Sequence, residues 1–411
     1  MPGLRHRAVN VSGASPSPGR RPVLDRITWI SYVQISLFAF FLYGFGATQA
    51  LLRDEQGTSR TVASLHAIVF ALANVVTGLL VPRLIARWGR GRVIRYSVLT
   101  MAAGVAVYTA PGGLPVSLLG TAIVACGGVS MIVTINAFVL DYQGGAGPAS
   151  LTQANALAAL FGFVVPLVIG ITTAVALGWR TGLWALIVAL LVSELVRRKD
   201  EGDPHVQQAE APTVVVPVRS EPVQLPRRFW WSLSVVALLL ATEFTLTLWS
   251  ADLLRERAGL GAAAAAASLA AVTGGMFIGR LFGSRLAQTW SIDRLLISSI
   301  LLALGGFAVA WLTTAPASIL AGLFVVGLGI AVHWPIGVSR AVASSGGLID
   351  RASGLSSVAA GAASGIAPFI LGAMSDTIGF HRAFLIVPLL LITALAVIIA
   401  KPVRSSEPIT G

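Results

Sequence analysis

The chain has 411 residues, of which 55% are apolar and 11% are charged. Soluble domains carry about a quarter charged residues, so this composition excludes a water-soluble globular protein. The net charge of +12 raises nucleic acid as a partner, but the placement of the basic residues described below argues against it. One cysteine, Cys126, excludes an internal disulfide, and the sequence shows no Cys/His pattern for a metal. We expect neither metal nor cofactor.

Twelve segments are long and apolar enough to cross a membrane. A crossing helix needs about 20 mostly apolar residues, because lipid offers its backbone amides no hydrogen-bond partner. The predicted spans, numbered 1 to 12 in chain order, are 27–50, 61–82, 93–110, 114–139, 150–176, 179–197, 229–251, 262–283, 294–313, 317–339, 353–375 and 382–400.

The basic residues orient these spans. Lys and Arg concentrate in cytoplasmic loops, and 23 of the 29 basic residues fall on one side if the N-terminus is cytoplasmic. Both termini are therefore predicted to be cytoplasmic. The positive charge follows the membrane topology, and we expect no nucleic-acid partner.

The predicted domain organisation has two bundles and three polar segments. A disordered cytoplasmic tail covers 1–26, a six-helix bundle 27–199, a cytoplasmic linker 200–227, a second six-helix bundle 228–400 and a short cytoplasmic tail 401–411. The linker contains five prolines and several charges, a composition that predicts an unfolded segment.

The two bundles are a sequence repeat. An offset of 202 residues brings them into register without a gap, and it pairs Arg53 with Arg255, Trp88 with Trp290 and Pro166 with Pro368, among others. Six spans per half is an even number, so both halves run in the same direction through the bilayer. A parallel duplication of this kind is typical of transporters whose two bundles rock about a central site.

The loop between spans 2 and 3 points to a family. Its residues Arg87, Gly89, Arg90 and Arg92 fit the pattern G-x-L-x-D-R-x-G-R-R, while Pro82 and Ala86 replace the first glycine and the aspartate. With the 6+6 arrangement, this loop resembles that of the major facilitator superfamily (MFS) of secondary transporters. The resemblance implies an all-α polytopic membrane protein of twelve transmembrane helices in two parallel-repeat six-helix bundles, working by alternating access as a monomer.

The same resemblance implies a cytoplasmic gate at this loop. In the family the loop aspartate is thought to hold the cytoplasmic side closed. Asp141, at the inner end of span 4, could replace it by pairing with Arg87 or Arg90, or it could be a solvated acid at a helix end. The candidate gate residues are Arg83, Arg87, Gly89, Arg90, Arg92 and Asp141.

Prolines and glycines recur at matched positions in spans 5 and 11. Pro166 and Gly170 partly resemble the motif of drug-exporting members of the family, and Pro368 and Gly372 repeat the pattern. Because small residues and prolines also serve close packing and helix bending, we favour a packing role. Pro335 in span 10 is a further candidate for helix bending.

Glu243 is the acid that lies deepest within a predicted span. A charged side chain at the bilayer centre costs about 2.5–3.5 kcal/mol on insertion scales. A low-dielectric site disfavours the charged carboxylate, which suits a group that alternately binds and releases a proton. Glu243 is therefore a candidate for proton coupling or for binding a cationic substrate, or it is a structural hydrogen-bond partner.

Other polar and aromatic residues could line the same cavity or make helix-to-helix contacts. His66 and His333 carry imidazoles that titrate near physiological pH. Arg280 and Arg340 are expected at inner helix ends as snorkelling or gate residues, so a site for a dianion is not expected. The remaining candidates are Gln34, Tyr43, Asn74, Asn136, Gln153, Asn155, Trp249 and Trp334.

The sequence thus predicts a proton-coupled secondary transporter of the plasma membrane that moves a small organic solute or drug-like compound. The alternatives are a uniporter in which Glu243 binds substrate and a membrane receptor that does not transport. The chain has no Walker loop, HExxH helix or GxSxG elbow, so we do not expect an enzyme. The expected partners are the substrate, protons and the lipid bilayer.

Overall fold

The computed structural model describes residues 22–200, 204–210 and 224–403, and in these ranges every regular element is a helix. The twelve spans form as follows: span 1 Arg26–Gln56, span 2 Leu65–Trp88, span 3 Arg90–Tyr108, span 4 Gly113–Gln143, span 5 Gly147–Ala174, span 6 Trp179–Arg197, span 7 Arg227–Ala258, span 8 Ala262–Leu286, span 9 Ile292–Leu312, span 10 Pro316–Ile330 with His333–Ala343, span 11 Ile349–Ile378, and span 12 Phe380–Ala383 with Ile386–Ala400.

Length and composition alone identify ten membrane-crossing stretches in the described residues. One of them, Gly113–Ala174, joins spans 4 and 5, which a 3-10 turn at Gly144–Ala146 separates. Span 3 is missing from the ten because three arginines occupy its first two turns. The twelve predicted spans are thereby recovered, with several helices longer than predicted.

A further short helix, Arg60–Ala63, leads into span 2. Spans 1 and 7 end in the same way, because Gly57 and Gly259 cap them with φ values of 60° and 64°. Glycine adopts this left-handed conformation without steric cost. These two caps are 202 residues apart, which is the offset of the repeat.

The repeat is also present in the packing of the helices. Gly120 of span 4 lies so close to the backbone of Tyr108 that a Cβ would clash with it. In the second half, a Cβ on Gly322 would lie 2.6 Å from the nitrogen of Ala310. Each residue of the second contact lies 202 positions after its counterpart in the first contact. Spans 9 and 10 therefore pack against each other as spans 3 and 4 do.

We call the membrane face that carries residues 22–25 and 401–403 the terminal face, and the other the opposite face. Contacts between the halves involve span 1 with spans 7 and 8, span 5 with span 8, and span 2 with span 11. These helices surround the boundary between the bundles. The site described below lies on that boundary.

The segment between the halves differs from the sequence prediction. A helix at Pro204–Glu210 packs against spans 3 and 4, with Val206 and Ala209 buried. The proline-rich composition predicted an unfolded linker, but two apolar side chains find a surface on the first bundle. Residues 1–21 of the predicted disordered tail, residues 201–203 and 211–223 of the predicted linker and residues 404–411 of the predicted cytoplasmic tail lie outside the described residues.

Candidate functional site

A hydrogen bond connects the two halves at the middle of the bundle. The Tyr43 hydroxyl of span 1 donates to Glu243 Oε1 of span 7 at 3.3 Å. Both residues lie near the midpoints of their helices, and both are buried, each with 7% of its surface exposed. The embedded acid predicted from the sequence therefore lies between the two bundles rather than on the lipid-facing surface.

Arg280 of span 8 completes this group. Its guanidinium lies near the Tyr43 hydroxyl and interacts electrostatically with Tyr43 and Glu243. The Tyr43 hydroxyl thus donates to a carboxylate and lies beside a cation. We call Tyr43, Glu243 and Arg280 the central triad.

The position of Arg280 corrects the sequence analysis. Span 8 was predicted to end at 283, three residues beyond Arg280, but the helix continues to Leu286. The additional turn places Arg280 deeper than a snorkelling residue, and it is half-buried beside Glu243. Arg280 therefore lies beside Glu243, and not at the helix end where the sequence analysis expected a snorkelling or gate residue. A correct prediction of where span 8 ends would have placed Arg280 within the membrane-spanning part of the helix.

Tight packing closes the boundary between the triad and the opposite face. Gly46 of span 1 contacts the backbone carbonyl of Thr247 in span 7 so closely that a Cβ would overlap it. A small cavity of about 20 Å³ beside this contact is lined by residues of spans 1, 2, 7 and 11, including Phe45 and Phe70. This volume holds about one water molecule, which is too little space for an organic solute.

Charged residues join the halves at the opposite face. Arg53 Nη1 lies 2.5 Å from Asp252 Oδ1, and Arg60 Nη2 lies 2.9 Å from Glu256 Oε2. Asp54 and Arg255 pair across the same boundary at 2.6 Å. We call these six residues the charged latch. The latch also includes a 3.7 Å contact between Arg60 and Asp252.

A second cavity lies toward the terminal face. A largely apolar cavity of about 390 Å³ extends between spans 1, 5 and 8, with Phe277 contributed by the second half. Its polar edge is formed by Tyr32, whose hydroxyl lies 2.7 Å from Ser150 Oγ and donates to Gln153 at 3.1 Å. The contacts at the opposite face therefore hold the two halves together there, while this cavity lies between the halves near the terminal face.

Three other predicted site residues make hydrogen bonds within one half. Both ring nitrogens of His66 are used, by the Ala63 carbonyl and by Ser117, each at 2.9 Å. The Trp249 indole donates to the Pro368 carbonyl at 3.0 Å, and Gln34 donates to Ser193 at 3.4 Å. Asn74 in span 2 is half-buried, and its side-chain oxygen has no hydrogen-bond partner. The structure does not bring these side chains into the central triad.

Span 10 is broken at His333. The ring is fully buried beside the Leu239 backbone of span 7, one turn from Glu243. Trp334 is exposed, and Pro335 lies in the first turn of the new helix, where a missing N–H costs nothing. One helix ends at Ile330 and the next begins at His333, so Pro335 lies at a helix start, where proline is tolerated.

The remaining polar candidates, Asn136, Gln153 and Asn155, differ in exposure. Asn136 is half-buried in span 4, and Gln153 and Asn155 are exposed near the start of span 5. The Asn155 amide donates to the Leu151 carbonyl of its own helix at 2.8 Å. Of these three, Gln153 lines the cavity between spans 1, 5 and 8.

Arg90, which follows the loop between spans 2 and 3, forms with Asp141 of span 4 one of the two ion pairs that the sequence analysis offered as possibilities. Arg90 Nη1 lies 2.5 Å from Asp141 Oδ2, and the same nitrogen donates to the Ala209 carbonyl of the linker helix at 2.7 Å. Gly89 adopts φ 76° at the turn. Arg83, Arg87 and Arg92 are exposed.

The matched glycines lie on the boundary between the halves. A Cβ on Gly170 would lie 2.6 Å from that of Ala267 in span 8, and one on Gly372 would lie 2.8 Å from Ser64 Oγ ahead of span 2. Each glycine lets a helix of one half approach a helix of the other. The geometry supports the packing role for both.

Arg340 is the second arginine whose position differs from the expectation. It is fully buried, and its guanidinium donates to Asp293 at 2.7 Å, to Ser232 at 2.9 Å and to the Lys401 carbonyl at 2.5 Å. These bonds join spans 7, 9, 10 and 12. Arg340 therefore connects the second bundle internally instead of snorkelling.

The profile of the Major Facilitator Superfamily matches residues 29–347. The chain belongs to this superfamily. The resemblance noted from the loop and the repeat is thereby confirmed, and with it the twelve-helix MFS fold. No curated protein sequence matches the chain.

Solved structures of MFS transporters share the fold at low sequence identity. A bacterial homolog of the human lysosomal transporter Spinster, inward-facing and unoccupied, is 15% identical with a TM-score of 0.69, covering 93% of this chain and 98% of that one. The nucleoside transporter NupG is 13% identical with a TM-score of 0.73, covering 92% and 98%. The peptide transporter POT in complex with sulfate is 15% identical with a TM-score of 0.72, covering 92% and 95%.

Proposed function

We propose that this MFS protein is a proton-coupled secondary active transporter that moves a small organic solute across the plasma membrane by alternating access. It works as a monomer with both termini in the cytoplasm, so the terminal face is cytoplasmic. The observation that carries the proposal is the hydrogen bond from Tyr43 to Glu243 across the boundary between the halves. Glu243 carries the coupling proton.

The central triad links the protonation of Glu243 to the position of the bundles. Arg280 is in the same half as Glu243, whereas Tyr43 is in the other half. When the halves separate at the opposite face, Glu243 loses the Tyr43 donor and keeps the Arg280 cation. A buried carboxylate without a donor is costly, so the separation of the bundles changes the free energy of proton binding.

The charged latch and the loop ion pair lie at opposite faces of the membrane, where an alternating-access transporter must close in turn. In the conformation described here, the latch closes the opposite face. The Arg90–Asp141 pair lies on the terminal face within the first half. We propose that Asp141 there takes the role of the missing loop aspartate by holding the loop arginine in place.

The test is solute flux into proteoliposomes. A panel of organic solutes is first screened by thermal shift of the detergent-solubilised protein, since a ligand of the folded state raises its stability. Uptake of the stabilising solute is then measured with and without an inward proton gradient. We expect the gradient to drive accumulation, and Glu243→Gln to abolish accumulation while exchange of labelled for unlabelled solute continues.

The control is Glu55→Gln, which removes an acid that pairs with Arg180 within the first half at 2.7 Å. It should leave the response to the gradient unchanged. If uptake by the unmodified protein ignores the gradient, the protein is a uniporter. If a solute binds but does not move, the protein is a receptor, and both results contradict proton coupling.

A further inference from the structure

The central triad is electrically balanced without a substrate. Arg280 carries one positive charge, Glu243 one negative charge when ionised, and the Tyr43 phenol none at neutral pH. Attraction between opposite charges is strong where water is scarce. The buried acid of the triad therefore already has a cation beside it, and the site does not require a cationic substrate to neutralise it.

Other titratable residues near Glu243 do not alter this balance. The elements packed against span 7 supply Tyr43 from span 1, Arg280 from span 8 and His333 from span 10, which lies beside the Leu239 backbone one turn away. The titratable residues of spans 11 and 12 in the described chain lie at or near helix ends: Asp350, Arg351, Asp376, His381, Arg382 and Lys401.

The balance decides which solutes the site can accept at low cost. An anion that binds Arg280 while Glu243 is ionised leaves one negative charge in excess, and a cation that binds Glu243 leaves Arg280 unpaired. Burying an uncompensated charge is strongly unfavourable. If Glu243 takes up a proton, however, an anion can replace it on Arg280 and the site stays neutral.

We propose that the transported solute carries a single carboxylate, which binds the Arg280 guanidinium in place of Glu243, so that each solute anion travels with one proton. This inference rests on the proposed function and adds the substrate class to it. The guanidinium fork matches a carboxylate with two parallel hydrogen bonds. The proton binds the Glu243 carboxylate, which then acts as a neutral acid.

The residues around the triad favour a solute whose remainder, apart from the carboxylate, is apolar. Leu42 and Phe244 are adjacent in the chain to Tyr43 and Glu243, and with Phe45 and Phe70 they line the small cavity beyond the triad. A zwitterion would need several acceptors for its ammonium group. The one buried carboxylate at the triad already accepts from Tyr43. An apolar monocarboxylate suits this environment better.

The test uses four probes with one ring and different charges: benzoate, benzamide, benzylammonium and phenylalanine. Binding to the full-length detergent-solubilised protein is measured by calorimetry at pH 5.5 and pH 7.5. We expect benzoate to bind more tightly at pH 5.5 and the other three probes to bind at least about tenfold more weakly, because the charge-assisted bonds to arginine are lost or unbalanced.

The decisive variant is Glu243→Gln, which imitates the protonated acid. It should bind benzoate at both pH values as tightly as the unmodified protein does at pH 5.5. Arg280→Gln should weaken benzoate binding by about tenfold to a hundredfold. Should that variant not fold, Arg280→Lys keeps the charge without the fork and should bind benzoate with intermediate affinity.

Several results would overturn the assignment. They are no benzoate binding to the folded protein, tighter binding of benzylammonium or phenylalanine, and loss of benzoate binding in Glu243→Gln. These outcomes are separable from those of the proposed function. Gradient-driven uptake of a neutral or cationic solute would contradict the proposal of a carboxylate substrate and support proton coupling. Gradient-independent uptake of benzoate would contradict proton coupling and support the carboxylate substrate.

Discussion

Arg53 at the end of span 1 lies 2.5 Å from Asp252 near the end of span 7, and this ion pair joins the first half of the protein to the second. Asp252 is almost fully buried, with 1% of its surface exposed. Arg60 approaches the same carboxylate from the short helix ahead of span 2. The pair therefore holds three segments together at the opposite face.

Exchanging the charges of this pair tests whether it closes the opposite face. We expect Arg53→Asp to raise the labelling rate of Thr247→Cys about tenfold or more, since unpairing buried Asp252 costs about 3–5 kcal/mol in the closed state. Adding Asp252→Arg should restore part of the protection. Labelling with a membrane-impermeant maleimide, in a background with Cys126→Ser, gives the rate.

A matched control lies at the same face. Arg180→Ala breaks an ion pair with Glu55 within the first half, and it should leave the labelling of Thr247→Cys unchanged. Equal labelling of both variants would show that the latch residues do not control access.

The contact of Gly46 with Thr247 gives a second test of closure. We expect Gly46→Ala to open the opposite face because the added methyl group overlaps the Thr247 carbonyl, and overpacking costs about 1–3 kcal/mol. Gly78→Ala in span 2 adds the same methyl group where no atom lies within 4 Å. Labelling of a cysteine at Leu248 should increase in the first variant and not in the second.

Removing Arg340 should destabilise the second bundle. Its guanidinium donates to groups of three neighbouring segments and is fully buried. We expect Arg340→Ala to lower the free energy of unfolding by about 3–5 kcal/mol, because the partners lose a buried ion pair. The measurement is denaturant unfolding in detergent.

Arg294→Ala serves as the comparison for that experiment. Arg294 is exposed, and its guanidinium lies 4.4 Å from the centre of the Trp290 ring. An exposed contact of this kind contributes about 0.5–1 kcal/mol. A loss of similar size in both variants would mean that the buried bonds of Arg340 add little to stability.

The repeated glycine contacts predict matched costs in the two halves. Gly306→Ala should destabilise the protein by about 1–3 kcal/mol, since the methyl group would approach the Gly322 carbonyl and the Val326 nitrogen at 2.7 Å. Its counterpart Gly104→Ala should cost a similar amount. The neighbouring Gly305→Ala faces open space and should cost nothing measurable in the same unfolding experiment.

The sequence was sufficient for the number of spans, the repeat and the central acid. Hydropathy, the spacing of arginines and a charge in an apolar helix can all be recognised in the linear sequence, without knowledge of tertiary contacts. Arg280 was missed because its depth depends on where span 8 ends, and its partner Tyr43 lies 237 positions away in the sequence. The linker helix was missed because only the surface of the first bundle gives Val206 and Ala209 a place to be buried.

The close glycine contacts have a consequence for how the chain is made. Gly104 and Gly120 lock spans 3 and 4 together, and Gly306 and Gly322 do the same for spans 9 and 10. Each half thus contains its own set of locking contacts and needs none from the other half to form them. The first six helices can assemble in the membrane while the ribosome is still synthesising the last six.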